Sequence, residues 1–240
     1  MLKSSPFNKL LILGVLTLLL VPSARAMKNL PVGETVWQGN VLVEEPVRVP
    51  RGGKLIIRAG TVVRVSTPSA KIDISGVIQV VGSKGKPVVF NSPEGWQGIS
   101  FVEAEKGSSF KGIHISRAEA AISSIATDFQ VTDSLFTECG TAIKLLRESS
   151  PLIENNRFEK NGIAIDNEMR SAPTIRNNIF TGHTRTAILA SHNSRGLISG
   201  NRFEKNEQGV GLLQTYPDHE APQLPFGYTA MGFLAMVPPI

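Results

Sequence analysis

The sequence has one cysteine, two tryptophans and two tyrosines among 240 residues. A lone cysteine, Cys139, cannot form an internal disulfide, so no covalent cross-link holds the fold. In an exported protein such a thiol can pair with another chain or with a small thiol. Cys139 occupies the repeat position that Asn161 and Asn206 fill in later repeats. This position favours a buried, inert thiol.

Catalytic and metal-binding signatures are also missing. There is no phosphate loop, no Gly-x-Ser-x-Gly elbow and no Cys/His pairing. The histidines show no ligand spacing of the His-x-x-x-His kind, and the methionines are scattered. We therefore predict no metal site. The histidines are His114, His183, His192 and His219.

The N-terminal residues 1–26 resemble a secretory signal peptide. Lys3 and Lys9 precede an apolar run from Leu10 to Val21, and Ala24-Arg25-Ala26 fits a small-x-small cleavage site. An uncleaved membrane anchor is the alternative, although the run is short for a full span. We expect a periplasmic or secreted protein with no stable membrane span after cleavage.

Charge gives no support for a nucleic-acid partner. The whole chain carries a net charge of +5, and loss of Lys3, Lys9 and Arg25 with the signal peptide lowers this charge to +2. The remaining chain has no block of basic residues of the kind that nucleic acids require. Nothing in the sequence specifies an oligomeric state.

The sequence does contain an internal repeat, whose period lies in the low twenties of residues. An apolar residue, two small polar residues and a phenylalanine recur, followed by a closing isoleucine or valine. The closing residues are Ile143, Ile165, Ile188 and Val210, and the phenylalanines are Phe136, Phe158, Phe180 and Phe203. A period of this length indicates stacked repeats rather than one globular core.

The repeat unit has the pattern of strands, not of helices. No unit contains a long apolar i, i+3, i+4, i+7 run, and leucine does not hold the fixed positions of a leucine-rich repeat. Short strands joined by bends would form one turn of a wide coil, and each turn would hydrogen-bond to the next at about 4.8 Å. We predict an all-β, single-stranded right-handed parallel β-helix, a solenoid of about seven to eight coils, with the four phenylalanines stacked in its core.

One polar position recurs inside the repeat, immediately before the phenylalanine-bearing strand. Asparagine tolerates the left-handed conformation of a sharp bend, and stacked amides can hydrogen-bond along a column. We predict an inward structural ladder at this bend, and sugar binding by these residues is the alternative. The ladder comprises Ser134, Asn156, Asn178 and Asn201.

The predicted β-helix domain covers residues 27–213. Residues 27–45 are expected to cover its first coil, because an open end would expose a sheet edge. Residues 214–240 form a Pro-rich C-terminal tail without regular alternation. Within it, the apolar piece from Phe226 to Val237 is too short to cross a bilayer. It could cap the last coil, pair with a partner or be the remnant of a longer helix, and we favour the cap.

The chain resembles the right-handed parallel β-helix proteins with pectate-lyase-like repeats. The resemblance rests on the Asn-Asn-x-Phe units and on earlier segments such as Val47-Arg48-Val49-Pro50, Gly60-Thr61-Val62-Val63 and Gly95-Trp96-Gln97-Gly98-Ile99. The units are similar to the β-helix of periplasmic proteins tied to nitrous-oxide reductase maturation and to carbohydrate-modifying enzymes. The resemblance implies a fold more strongly than a reaction, because one fold hosts many functions.

In that family, activity lies on an outward sheet face and the loops beside it. Outward alternation places Lys144 next to Asp166 on the following coil, about 5 Å apart, with Glu168 nearby. Arg147, Arg170 and His192 flank them. We take these six residues as substrate-binding candidates for an acidic sugar. The same residues also fit a solvated face with an incidental ion pair, worth at most about 1 kcal/mol.

The resemblance does not assign a reaction. A pectate lyase needs a carboxylate cluster for calcium and a basic residue, and a hydrolase needs paired carboxylates. Asp166 and Glu168 have no second acidic coil beside them, and the Asn-Thr-Asp, Asp-Asp and Gly-His-Gly signatures of polygalacturonases are absent. No catalytic residue or cofactor is therefore predicted, although calcium would be expected for a lyase.

These observations favour an exported binding or scaffold protein that recognises polysaccharide or another cell-envelope component. The first alternative is a carbohydrate-active enzyme, namely a polysaccharide lyase, epimerase or hydrolase acting on acidic glycan. The second is an accessory factor in periplasmic metalloenzyme assembly.

Overall fold

The computed structural model describes residues 27–213 and the backbone of residues 233–236. The predicted signal peptide and most of the predicted C-terminal tail lie outside the described residues. Every regular element of the described chain is a β-strand. It contains no helix long and apolar enough to cross a membrane.

The strands form three parallel sheets. Sheet 1 contains β1 (Lys28–Asn29), β4 (Val47–Val49), β7 (Lys71–Ile74), β10 (Gly98–Val102), β13 (Ala120–Ile125), β16 (Thr141–Leu146), β19 (Ile163–Asn167), β22 (Thr186–Ser191) and β25 (Gln208–Leu213). Sheet 2 contains β2 (Gly33–Trp37), β5 (Gly53–Arg58), β8 (Val77–Val81), β11 (Ser108–Lys111), β14 (Phe129–Thr132), β17 (Leu152–Glu154), β20 (Thr174–Arg176), β23 (Gly196–Ser199) and β26 (Phe233–Met236). Sheet 3 contains β3 (Asn40–Val43), β6 (Val62–Val65), β9 (Val88–Asn91), β12 (Ile113–Ser116), β15 (Leu135–Thr137), β18 (Arg157–Glu159), β21 (Ile179–Thr181) and β24 (Arg202–Glu204).

Consecutive strands visit the three sheets in turn, so each strand pairs with the strand three places later. Equivalent residues lie in register, as Ile122 pairs with Ile143 and Ile143 with Ile165. Strands β1 to β24 complete eight coils, and β25 and β26 add to sheets 1 and 2. The predicted parallel β-helix of about seven to eight coils is confirmed.

The inside of the coil is a column of aliphatic and aromatic side chains. Phe136, Phe158 and Phe180 are fully buried, and neighbouring rings in the stack lie 4.9 to 5.1 Å apart and nearly parallel. Burying each such ring contributes about 2 to 3 kcal/mol. Phe203 stacks on Phe180, but it is 37% exposed. It lies on β24, the last strand of sheet 3 in the described part of the chain, where no further strand of that sheet covers its outer side.

The corner between sheets 2 and 3 carries the Ser134–Asn156–Asn178–Asn201 ladder. The backbone N–H of Ser134, Asn156 and Asn178 each donates to the side-chain Oδ1 one coil later, at 2.8 to 3.0 Å. The Nδ2 group of each asparagine also donates to a backbone carbonyl, as Asn156 does to Val131. All four polar groups along the column are therefore paired inside the coil, where an unpaired group would be costly.

The predicted left-handed conformation falls one residue earlier than expected. Positive φ angles occur at Asp133, Asn155, Asn177 and Gly200, not at the ladder residues that follow them. The first residue of each bend turns the chain, and the second then points its amide inward. Gly200 adopts this conformation without a Cβ, and a Cβ atom there would displace Oδ1 of Asn177.

The other two corners carry ladders that sequence analysis did not predict as such. Between sheets 3 and 1, the backbone N–H groups of Cys139, Asn161 and His183 donate to the side chains of Asn161, His183 and Asn206. Between sheets 1 and 2, the hydroxyls of Thr127, Ser149 and Ser171 accept from backbone N–H groups one coil earlier. Cys139 is a free, buried thiol in its ladder.

Strands form at both ends of the described coil. β1, β2 and β3 themselves make the first coil, which residues 27–45 were expected to cover, and they pair with β4, β5 and β6. Within the predicted C-terminal tail or cap, Phe233–Met236 pairs with β23 and extends sheet 2.

Candidate functional site

A row of polar side chains runs up the outer face of sheet 1. Each member pairs through its backbone with the next, so the side chains lie one above another at the strand spacing of about 4.8 Å. This polar row consists of Arg48, Asp73, Ser100, Ser123, Lys144 and Asp166. An apolar row of Val102, Ile125 and Leu146 runs beside it on the same face. The outer face of sheet 1 is therefore polar along one line and apolar along the next.

At the C-terminal end of the polar row, Lys144 lies between two carboxylates. Lys144 and Asp166 are register partners, as predicted, and Nζ lies 3.7 Å from Oδ2 of Asp166. The same Nζ lies 3.4 Å from Oε1 of Glu168. Glu168 directly follows β19, so Asp166 and Glu168 both point to the outside of the coil and share one ammonium group.

Asp166 is far less exposed than an outward position predicts. Only 10% of its side chain is exposed, and its Oδ1 is buried without a hydrogen-bond partner among the described residues. Burial, followed by the negative charge of Glu168, raises the pKa of Asp166 to about 6, while Lys144 acts in the opposite direction. Asp166 therefore exchanges a proton close to neutral pH.

His192 and Ser191 extend this group of side chains on the following coil. Nδ1 of His192 lies 3.7 Å from Oε2 of Glu168 and 2.9 Å from Oγ of Ser191. The structure thus brings together four of the six predicted residues, and we call Lys144, Asp166, Glu168 and His192 the carboxylate cluster. Ser191 was not among the predicted candidates, although its place at the end of β22, next to His192, could have indicated it.

Arg147 and Arg170 lie in the corner between sheets 1 and 2, the same corner as His192, and all three have positive φ angles. The backbone N–H of Arg170 donates to the carbonyl of His192 at 3.2 Å, and its guanidinium forms an ion pair with Glu148 at 3.0 Å. Arg147 is exposed. Both arginines therefore flank the carboxylate cluster, and among the described residues neither forms an ion pair with its carboxylates.

A second charged group occupies the N-terminal end of the polar row. Oδ2 of Asp73 lies 2.9 Å from Nζ of Lys71 and 4.0 Å from the guanidinium of Arg48. Sequence analysis missed this group because the early coils are longer than the regular repeat. Val47 pairs with Ile72 and Ile72 pairs with Ile99, and both partners are further apart in the chain than the members of a regular repeat.

The chemistry open to the carboxylate cluster is proton exchange and hydrogen bonding. Two carboxylates, an ammonium and an imidazole can bind hydroxyl and carboxylate groups of a ligand, and Asp166 can donate or accept a proton. Within residues 27–213, no three histidine, cysteine or acidic side chains come together as metal ligands.

The family model of the right handed beta helix region matches residues 88–218, more than half of the chain. The chain therefore belongs to the right-handed β-helix family, and the predicted hand of the coil is confirmed. No curated protein and no solved structure shows a significant match. The fold and family indicate a carbohydrate-related or scaffold role.

Proposed function

We propose that this β-helix is an exported binding or scaffold protein that recognises a polysaccharide or another cell-envelope component on the outer face of sheet 1. The single observation that carries the proposal is the polar row, which continues through six coils beside an apolar row. At the strand spacing, six coils span about 24 Å, enough for several consecutive sugar units.

The row offers a glycan both charged and neutral partners. Its cations are Arg48 and Lys144, and each lies beside a carboxylate of the same row. Ser100 and Ser123 offer hydroxyls between these two charged ends. Charge-assisted hydrogen bonds from such groups to carboxylates are stronger than neutral ones. The apolar row of Val102, Ile125 and Leu146 can contact the less polar faces of sugar rings.

Binding can be measured by calorimetry with polygalacturonate and with a neutral polysaccharide as the comparison. Lys144→Gln and Arg48→Ala should each weaken polygalacturonate binding about five-fold or more. Lys111→Ala is the matched control, because Lys111 is an exposed residue on sheet 2. Equal losses in Lys111→Ala and Lys144→Gln, or no binding by the unaltered protein, would contradict the proposal.

A carbohydrate-active enzyme is the second candidate, and the raised pKa of Asp166 favours it. A carboxyl group that titrates near neutrality beside a second carboxylate is suited to general acid–base catalysis on a glycan. In this mechanism Asp166 donates or accepts the proton, Glu168 supplies the negative charge, and Lys144 holds the acidic sugar.

This second function is tested by turnover of uronate polymers with and without calcium. Asp166→Asn should abolish turnover while polygalacturonate still binds, because the amide keeps the shape of the side chain and cannot exchange the proton. Turnover only with calcium would identify a lyase. If Asp166→Asn leaves turnover unchanged, the enzymatic assignment to this residue fails.

A further inference from the structure

A groove on the outside of sheet 3 lies on a different face of the solenoid from the carboxylate cluster. It has a volume of about 680 Å³, within the range of small-molecule sites. Its floor is formed by outward residues of β3, β6 and β9, and Ser92 and Pro93 form a wall. It therefore combines a sheet surface with a loop.

The charge of this groove is of one sign. Two arginines, Arg64 and Arg117, line it, and no acidic residue does. Arg117 donates from Nε to Glu138 at 3.1 Å. The side chain of Arg64 has neither an ion pair nor a hydrogen bond to any residue of the described chain. An exposed guanidinium in an acid-free groove is a ready partner for a carboxylate or sulfate group.

Neutral hydrogen-bonding groups lie next to Arg64. Asn91 is its register partner on β9. On β3 its register partner is Leu42, and Asn40 lies two residues before Leu42. Both amides line the groove. Amide groups can donate to and accept from ring hydroxyls, so the groove offers an anion partner and hydroxyl partners together.

The loop wall is held in place before any ligand binds. Oγ of Ser92 donates to the carbonyl of Gly95 at 2.8 Å, and the indole of Trp96 stacks on Phe90. Nε1 of Trp96 donates to the carbonyl of Ser116, which also lines the groove. A preformed wall lowers the ordering cost of binding.

We propose that this groove is a second ligand site, which binds an acidic mono- or oligosaccharide through Arg64. The guanidinium contacts the anionic group, and Asn40 and Asn91 contact ring hydroxyls. This site goes beyond the proposed binding on sheet 1 and stands without it, because none of its lining residues belongs to the polar row.

The indole N–H of Trp96 provides a local readout. Two-dimensional ¹⁵N–¹H NMR of the protein should show one shifted tryptophan indole signal, that of Trp96, on titration with digalacturonic acid. Arg64→Ala should weaken this binding at least ten-fold, and Arg64→Lys should weaken it less because the charge remains. Arg58→Ala is the matched control: Arg58 is an exposed arginine at the end of β5 on sheet 2.

Three outcomes would overturn the second site. The Trp96 signal could remain unshifted at millimolar ligand, Arg58→Ala could weaken binding as much as Arg64→Ala, or inorganic sulfate could bind as tightly as digalacturonic acid. The last result would show a simple anion site. Lys144→Gln should leave the Trp96 titration unchanged. The experiment therefore distinguishes failure of the proposed binding on sheet 1 from failure of the proposed groove site.

Discussion

The side-chain amide of Asn156 donates to Oδ1 of Asn178 on the next coil at 3.1 Å, and the same oxygen accepts the backbone N–H of Asn156 at 2.9 Å. One asparagine oxygen therefore satisfies two buried donors of the coil before it. Both residues are almost fully buried, so water cannot replace these bonds. The ladder is a structural necessity of the bend.

Replacing Asn178 by alanine should be strongly destabilising. The change leaves the backbone N–H of Asn156 without its acceptor and removes one of the two acceptors of Asn156 Nδ2. It also removes the bond from Asn178 Nδ2 to the carbonyl of Ile153. We expect a loss of about 3 kcal/mol in the free energy of unfolding, measured by urea denaturation. Asn91→Ala, which alters an exposed asparagine on sheet 3, should cost less than about 0.5 kcal/mol. Similar losses in both variants would contradict the ladder's role.

The second prediction compares two alanine variants within the same phenylalanine stack. Phe158→Ala should cost about 3 to 5 kcal/mol, because the ring is fully buried between Phe136 and Phe180. Phe203→Ala should cost less than half as much, because that ring is 37% exposed and has one neighbour in the stack. Denaturation of the two variants under identical conditions measures the difference. Equal costs would show that Phe203 is as enclosed as Phe158.

The raised pKa of Asp166 predicts a pH-dependent difference between the protein and its Asp166→Asn variant. A carboxyl with a folded pKa of about 6 and an unfolded pKa of about 3.9 binds its proton more tightly when folded. Its ionisation therefore removes stability as pH rises from about 4 to 6, whereas asparagine does not ionise. Asp166→Asn should be more stable than the unaltered protein by about 2 kcal/mol at about pH 7.5, and the difference should vanish near pH 4. A difference that does not change with pH would contradict the raised pKa.

His183 predicts that folding stability decreases as pH falls, opposite to the effect of Asp166. Burial lowers the pKa of His183, and its Nδ1 accepts the backbone N–H of Asn161 at 3.1 Å. The folded state therefore favours the neutral ring, and its stability contribution is lost as pH falls below about 6.5, the unfolded pKa. His183→Asn should reduce acid sensitivity between about pH 6.5 and 5, because asparagine already fills this ladder position at Asn161 and Asn206.

The control for this prediction is His192→Asn, since the His192 side chain is half exposed. Because His192 fills no ladder position, this variant should change the acid transition less than His183→Asn does. If His183→Asn unfolds at the same pH as the unaltered protein, protonation of His183 does not limit acid stability.

Sequence reasoning succeeded where the repeat is regular. The constant spacing of the repeat placed Lys144 beside Asp166, and the structure pairs them. It was less specific in the bends, where positive φ angles at Arg147 and Arg170 mean that strand alternation does not define the direction of a side chain. It also did not predict that Asp166 is buried, because the exposure of an outward residue depends on side chains of neighbouring coils.

His183 shows a second kind of limit. Its position in the ladder corresponds to Asn161 and Asn206, so the repeat alignment contained the signal. The sequence did not reveal this position, because histidine and asparagine are different residue types. An imidazole and a carboxamide can nevertheless each offer an acceptor and a donor to the same backbone groups. Ladder positions are better recognised by hydrogen-bonding capacity than by residue identity.

The hydrogen bonds of the three corner ladders restrict how insertions and deletions can change the length of the chain. Each column passes its hydrogen bonds only to the adjacent coil, and each coil contributes one member per corner. Duplicating or excising one whole repeat unit from the regular middle would reconnect every column without a gap, whereas deleting a corner residue would leave a gap in its column. Growth by complete turns is therefore a mutational route that this architecture tolerates.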